Sequence, residues 1–282
     1  MAESRTYPHG VPSWIETEQP DPGAARTFYG ELFGWEYEDR PGGYTIARLG
    51  GREVAGLIEA GRQPGGAESF KGAAGWNTYI SVDDADGTVK RVSEAGGRIL
   101  AEPQDVGPAG RSALCVDPQG ARFGLWQPAM RLGVQATNEP GAWNFGNLHT
   151  PDPQRSTAFY STVFGWSLDD VGFATMIRVP GYGDHLASTT DPDIHERQSG
   201  VGVPPGFADA VGWLVPEEQG NPAHWHVVFT VADRDSSVEI VARSGGSVIS
   251  SEKTQWSRSA VVRDPWGAEF TVSQFTPPDG NR

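Results

Sequence analysis

One phrase occurs twice in this chain of 282 residues. The segment ARTFYGELFGWEYED begins at Ala25, and STAFYSTVFGWSLDD begins at Ser156, 131 residues later. An internal duplication constrains the fold more than any other feature, because each copy has to form the same supersecondary structure. We therefore expect two related halves, each of ordinary domain size.

Each copy belongs to a strand–helix segment with clear start and stop signals. Asp21 and Asp152 suit the N-cap, because a carboxylate accepts hydrogen bonds from free amide groups, and the proline that follows gives up an N–H without a helical partner. Gly34 and Gly165 suit the left-handed position that ends a helix. The apolar residues between these signals fall on one helical face, in the first copy Ala25, Phe28, Tyr29, Leu32 and Phe33.

A second kind of module is also repeated. WNTYISVDDADGTVKRVSEAGGRIL, from Trp76, matches WHVVFTVADRDSSVEIVARSGGSVI, from Trp225, and both read as strand, short helix, Gly-Gly turn and strand. Both continue to a DPxG turn between two strands, at Asp117 and Asp264. The chain thus alternates two kinds of module in the order A-B-A′-B′. The A modules contain the FY…FGW phrase, and the B modules contain the DPxG turn.

The repeats predict how the chain divides. Two domains and a linker are expected at residues 1–130, 141–277 and 131–140. The four modules fall at about 8–62, 75–130, 141–190 and 223–277 by the strand and turn signals. The segment 190–223 is longer than its counterpart at 62–75, and loops of that length are usually functional or disordered. We expect either a lid or a plain surface excursion there.

Composition limits the partners and the compartment. A formal net charge of −14 argues against nucleic acid and anionic membranes as partners. The single cysteine, Cys115, excludes internal disulfides and cysteine-based zinc sites, and fits a reducing cytoplasm. The first residues lack an apolar leader and no segment is long enough to span a bilayer, so we expect a cytoplasmic protein.

The strand–Asp-Pro–helix start with its FY…FGW phrase, and the DPxG finish, are each present twice. Together they resemble the vicinal oxygen chelate superfamily, which contains glyoxalases, bleomycin-resistance proteins and extradiol dioxygenases. The resemblance covers nearly the whole chain. It implies an α+β fold in which tandem βαβββ modules form two domains with cup-shaped, mixed or antiparallel sheets. The superfamily hosts metalloenzymes as well as drug-binding proteins, so the fold alone assigns no function.

Enzymes of this superfamily hold a divalent metal with His from the first strand of each module and Glu from the last. The resemblance places the first-strand positions at Trp14, Asn77, Phe145 and His226, and the last-strand positions at Gly124 and Thr271. Only His226 is a metal ligand by residue type. This departure predicts that neither half holds a metal in the family manner, and we expect no cofactor.

Three polar residues are candidate catalytic groups. His226 is expected to be an acid–base group of the second cup or a satisfied core residue. It shares a strand face with His224, but two histidines without a third ligand make a weak metal site. His149, on the facing strand, either supports His226 or is merely solvated. Glu16 points into the first cup or lies at its rim.

Aromatic residues on the cup strands favour an apolar ligand. An apolar wall with a few polar groups suits a bulky aromatic molecule, because ring stacking adds about 0.5–1.5 kcal/mol per pair beyond burial. The candidate ligand contacts are Trp14, Trp76, Asn77, Phe145 and Thr271.

Two functional interpretations follow. The first is a metal-free protein that binds a hydrophobic aromatic small molecule, such as a natural product or antibiotic, for sequestration or tailoring. The second is a cofactor-independent oxygenase, isomerase or lyase acting on an aromatic polyketide, with His226 as base and Glu16 or His149 in support. A metal-dependent glyoxalase or dioxygenase is disfavoured by the missing ligands. Because both domains are carried on one chain, the protein is expected to be either a monomer or a homodimer.

Overall fold

The computed structural model describes residues 5–62, 74–172, 174–199 and 203–276. The described elements of the first half are β1 (Pro12–Gln19), α1 (Pro22–Phe33), β2 (Glu36–Arg40), β3 (Tyr44–Leu49), β4 (Arg52–Glu59), β5 (Gly75–Ser81), α2 (Ala85–Glu94), β6 (Arg98–Asp105), β7 (Gly110–Val116) and β8 (Arg122–Pro128). Those of the second half are β9 (Trp143–Thr150), α3 (Pro153–Phe164), β10 (Ser167–Asp170), β11 (Thr175–Arg178), α4 (Tyr182–Ser188), α5 (Ile194–Arg197), β12 (Ala210–Pro216), β13 (His224–Thr230), α6 (Arg234–Arg243), β14 (Ser247–Lys253), β15 (Ser257–Arg263) and β16 (Glu269–Phe275).

The described strands form two mixed sheets of eight strands, one from each half. Their orders are β2-β3-β4-β1-β5-β8-β7-β6 and β10-β11-β12-β9-β13-β16-β15-β14. The first and last strands of each module run parallel, as in β1 with β4 and β13 with β16, whereas the hairpin neighbours are antiparallel. This arrangement confirms the predicted α+β fold of tandem βαβββ modules.

The helices of the A modules begin and end as the sequence predicts. Asp21 accepts a hydrogen bond from the Ala24 amide, and Asp152 accepts one from the Arg155 amide, both at 3.0 Å. Gly34 and Gly165 end these helices with φ of 74° and 72°. The predicted apolar face of α1 is buried. In the described part of the chain, no helix has the length and apolar character needed to cross a bilayer.

The third module contains an insertion, and its last strand lies further along the chain than the repeats suggested. β12 pairs in parallel with β9 and antiparallel with β11, as β4 does with β1 and β3. It lies inside the segment 190–223, which we expected to be a lid or a surface excursion. The inserted residues lie instead between β11 and β12 and include α4 and α5. The expectation for this segment is therefore wrong for the stretch that forms β12.

The chain also divides into two compact units, and each unit combines parts of both halves. Compact unit 1 consists of Met1–Trp14, Thr78–Gly133 and Gly146–Trp225. Compact unit 2 consists of Ile15–Asn77, Val134–Phe145 and His226–Arg282. The repeats therefore predict the sheets but not this grouping, and the domain boundaries inferred from them remain a prediction.

In compact unit 2, the core is organised around the buried carboxylate of Asp264, which is 3% exposed. Tyr29 Oη and Gln19 Nε2 each donate to its Oδ2 at 2.8 Å. Its Oδ1 accepts from the amides of Trp266 and Ala268, at 3.0 and 2.8 Å. One side chain thus shapes the DPxG turn of the second half and binds the first helix of the first half.

The same arrangement occurs in compact unit 1. Tyr160 Oη donates to Asp117 Oδ2 at 3.1 Å, and Trp225 Nε1 donates to Tyr160 Oη at 3.0 Å. Asp117 Oδ1 accepts from the amides of Gln119 and Ala121, at 2.8 and 2.9 Å. Burial raises the pKa of Asp117, although these donors act in the opposite direction. Here the turn of the first half is bound by a helix of the second half.

Removing the Tyr29 hydroxyl tests the hydrogen bond between Tyr29 and Asp264 in compact unit 2. Tyr29→Phe leaves the buried Asp264 carboxylate with one donor fewer, so we expect the free energy of unfolding to fall by about 1–3 kcal/mol. The measurement is urea unfolding followed by tryptophan fluorescence. Tyr37→Phe is the matched control, because the buried Tyr37 hydroxyl has no hydrogen-bond partner among the described residues. Equal effects of the two substitutions would contradict the assignment.

Candidate functional site

The family ligand positions of the first half are buried and filled by the protein itself. Trp14 is 5% exposed and Asn77 is fully buried. All the other residues of β1 and β5 are buried as well. A Cβ atom added at Gly124, the last-strand position, would overlap the ring of Tyr79. An aromatic ring therefore occupies the space that a glutamate ligand would need.

The remaining first-half candidates also lie in the interior. Glu16 is buried on β1. Asn77 Nδ2 donates to Glu18 Oε1 at 3.0 Å. The Trp76 ring lies 5.2 Å from that of Phe229, within the aromatic core of compact unit 2. We therefore do not include these residues in the candidate site.

The second half offers an accessible strand surface instead. Along β9, Asn147 and His149 are half-buried, whereas the intervening Leu148 is fully buried. On the parallel neighbour β12, Trp213 lies beside Asn147 and Val215 lies beside His149. Both are half-buried. We call these four residues the β9–β12 face.

Aromatic and polar groups meet on the β9–β12 face. The Trp213 ring lies 6.1 Å from that of Phe207, which lies at the end of the insertion, just before β12. The Asn147 Oδ1 atom is buried and has no hydrogen-bond partner among the described residues. A buried, unsatisfied acceptor costs about 1–3 kcal/mol, so it marks a place where a ligand donor would be stabilised.

His149 is oriented by a carboxylate from the loop between β12 and β13. Its Nδ1 lies 2.8 Å from Glu217 Oε1, and Asn221 Nδ2 donates to Glu217 Oε2 at 3.1 Å. Burial lowers the pKa of His149, against the effect of Glu217. Hydrogen bonds from His149 and Asn221 lower the pKa of Glu217. Because a carboxylate oxygen only accepts, His149 Nδ1 carries the proton of this hydrogen bond, an arrangement that serves equally for proton transfer and for metal ligation.

A second histidine, His224, lies close to His149. The rings of His149 and His224 are stacked with centroids 4.7 Å apart, and His224 is exposed. His226 is two residues further along β13, and strand geometry directs it to the same side as His224.

The family-type positions of the second half do not fit a family-type metal centre. His226 Nε2 lies 2.8 Å from Thr271 Oγ1, so the structure brings together the first-strand and last-strand positions. A neutral hydroxyl stands where the family has a carboxylate. Phe145, half-buried on β9, offers no ligand atom. The catalytic roles of His226 and His149, and the ligand contacts of Phe145 and Thr271, remain predictions.

Sequence reasoning missed three of the residues assembled here, namely Asn147, Trp213 and Glu217. Trp213 and Glu217 lie in or next to β12, in the segment that we expected to be a loop. The alternation in AVGWLVPE, with Trp, Val and Glu two residues apart, is the signal that would have revealed a half-buried strand.

The packing of the first half yields a prediction. Gly124→Ala forces the Tyr79 ring to move within a filled interior, so we expect it to lower the free energy of unfolding by about 1–3 kcal/mol. Gly23→Ala is the matched control, since a Cβ there meets only a carboxylate oxygen of Asp21 at 3.4 Å on an exposed helix turn. Urea midpoints compare the variants. An unchanged midpoint for Gly124→Ala would show that position 124 has room for a side chain.

Comparison with family sequence models gives one match in each half. The model described as "Glyoxalase/Bleomycin resistance protein/Dioxygenase superfamily" matches residues 15–125. The model described as "Glyoxalase-like domain" matches residues 147–273. The matches confirm that each half carries one copy of the family domain.

Two curated relatives match almost the full length of the chain. CFP32 of Mycobacterium tuberculosis (strain CDC 1551 / Oshkosh), provisionally named a glyoxylase, is 34% identical over 98% of this chain and 99% of its own. The anthracycline biosynthesis protein DnrV of Streptomyces peucetius is 32% identical over 94% of each chain.

Solved structures agree at the level of the fold. The Mn(II)-bound glyoxalase from Novosphingobium aromaticivorans superposes with a TM-score of 0.60 at 14% identity, covering 98% of this chain and 87% of that one. The 2,3-dioxygenase LapB from Pseudomonas sp. KL28 gives 0.58 at 14% identity, with 96% of each chain covered. Two domain matches, full-length relatives and the shared fold together show that this chain belongs to the glyoxalase/bleomycin resistance protein/dioxygenase superfamily.

Proposed function

We propose that the protein binds a hydroxylated aromatic small molecule on the β9–β12 face, for the tailoring or sequestration of that compound. The observation that carries the proposal is the unsatisfied Asn147 Oδ1 beside the accessible Trp213 ring. An aromatic ligand stacks on an indole, and a ring hydroxyl donates to the amide oxygen. Ligand sites typically combine an apolar wall with a few such polar groups.

The nature of the relatives supports an aromatic ligand. DnrV of Streptomyces peucetius and DauV of Streptomyces sp. (strain C5), at 32% and 31% identity, are both named anthracycline biosynthesis proteins. Anthracyclines are polycyclic aromatic compounds with hydroxyl groups. A planar, hydroxylated ring system is therefore the ligand class that is consistent both with the names of these relatives and with the groups on the β9–β12 face.

His149 and Glu217 give this face a polar end. The carboxylate holds the imidazole at Nδ1, at 2.8 Å, and so fixes the orientation of the ring beside this face. Val215, beside His149 in the register, adds apolar contact. The proposed ligand is thus bound by stacking at one end and by an imidazole at the other.

Isothermal titration with 1,8-dihydroxyanthraquinone tests the proposal. Loss of one stacking partner costs about 0.5–1.5 kcal/mol beyond burial, so Trp213→Ala should weaken binding by roughly tenfold. Trp256→Ala is the matched control, because Trp256 is also half-buried but belongs to compact unit 2, where it stacks on Phe275. We expect this control to bind as the wild type does.

A second variant tests the hydrogen bond. Asn147→Leu removes the acceptor, so it should weaken binding of the hydroxylated probe while leaving unsubstituted anthraquinone unaffected. The proposal fails if neither probe binds, or if Trp256→Ala weakens binding as much as Trp213→Ala.

A further inference from the structure

The insertion of the second half has no counterpart in the first. In the first half, β3 ends at Leu49 and β4 begins at Arg52, so a two-residue turn joins them. In the second half, β11 ends at Arg178 and β12 begins at Ala210, and the chain between them forms α4, α5 and a single 3₁₀ turn, Phe207–Asp209. Because the first half forms its sheet without such residues, a module does not need them to be complete.

The 3₁₀ turn brings a second aromatic ring to the β9–β12 face. Phe207 is half-buried, and its ring lies 6.1 Å from that of Trp213, with the two planes inclined at 32°. We infer that the insertion is a specificity element, which presents Phe207 as a second stacking partner and so selects fused polycyclic ligands over single rings. This inference rests on the proposed binding of an aromatic ligand at Trp213.

The separation of the two rings determines how the ligand lies. A ring held between two others needs a carbon–carbon separation of about 3.5 Å on each side, or about 7 Å in total. The observed 6.1 Å is too short for this arrangement. The ligand therefore lies across both rings, stacked on one and inclined to the other, as aromatic pairs prefer. A single benzene ring is too small to cover both centroids, whereas three fused rings reach both.

Hydrogen bonds of Asp209 hold the 3₁₀ turn in place. The Asp209 Oδ1 atom accepts from the Gly183 amide, in the first turn of α4, at 2.7 Å. The Asp209 carbonyl oxygen accepts from the Val179 amide, just after β11, at 3.0 Å. Asp209 thus connects the turn that carries Phe207 both to α4 and to the end of β11.

The residue before Phe207 is held as well. Gly206 has a left-handed φ of 74°, and a Cβ atom added there would lie 2.5 Å from Arg178 Nη1, so the guanidinium packs directly on the glycine. Arg178 is in turn ion-paired with Asp169 of β10. Because both flanks of Phe207 are held, its ring is presented in one place, and less ordering is needed when a ligand binds.

The first measurement compares a fused ring system with a single ring. The full-length chain is titrated calorimetrically with 1,8-dihydroxyanthraquinone, and catechol is titrated as its competitor. We expect catechol to bind roughly tenfold more weakly or not to compete at all, because it contacts one aromatic partner instead of two. Phe207→Leu keeps an apolar side chain but removes the ring. It should weaken binding of the anthraquinone by roughly three- to tenfold and leave that of catechol unchanged.

Phe275→Leu is the matched control. The Phe275 ring also lies beside a tryptophan, 6.4 Å from that of Trp256, but both residues belong to compact unit 2. This control should leave the affinity for both probes as it is in the wild type.

Asp209 is a positioning residue, and its variants separate positioning from folding. Asp209→Ala removes the acceptor of the Gly183 amide, so it should weaken binding of the anthraquinone about as much as Phe207→Leu does. Combining the two substitutions should add no further loss, because both act through the same ring. Asp209→Asn keeps an oxygen acceptor and should restore the wild-type affinity.

The possible outcomes distinguish this inference from the proposed function. A wild-type chain that does not bind the anthraquinone overturns both. Binding that Trp213→Ala weakens and Phe207→Leu does not overturns the role of Phe207 and leaves the proposed function intact. Equal binding of the two probes by the wild type, or equal loss of both in Phe207→Leu, overturns the selection of fused rings.

Discussion

Buried hydrogen bonds between a tyrosine and an aspartate connect the two halves of this chain. Tyr29 of the first half donates to Asp264 of the second, and Tyr160 of the second donates to Asp117 of the first. Each aspartate also accepts the amides of its own turn, so one carboxylate fixes the turn and the helix that packs on it. A buried carboxylate without such donors would be strongly unfavourable. The tyrosine of each FY motif and the aspartate of a DPxG motif are therefore the donor and the acceptor of one hydrogen bond.

Most of the fold could be predicted because local signals and the duplication agree. The caps at Asp21 and Gly34, the buried face of α1 and the four βαβββ modules all follow from residue type and spacing. Which copy of a motif binds which could not be predicted, since the same motif residues occur in both copies and carry no information about pairing. β12 was missed because an insertion separates it from its module, and the constant offset between the repeats fails there.

The candidate site was only partly visible in the sequence. His224 and His226 form an evident pair, and His149 was placed on the facing strand by its match to the first half. Neither observation could reveal that Glu217 orients His149, because that contact depends on where the side chain of a distant loop lies. Glu217 lay in the misread segment. The first half contributes little here, since Tyr79 occupies the space that a ligand at position 124 would need.

Each tyrosine–aspartate hydrogen bond joins residues of different halves of the chain. These bonds therefore also determine whether folding depends on protein concentration. A chain consisting of one half would find the missing tyrosine only on another molecule, so its folding would follow mass action and weaken as concentration falls. In the fused chain the same bonds close within one molecule, between residues 43 and 235 positions apart. The entropy of closing such loops grows only with the logarithm of their length. Covalent fusion thus makes a mutually dependent pair of cores insensitive to protein concentration.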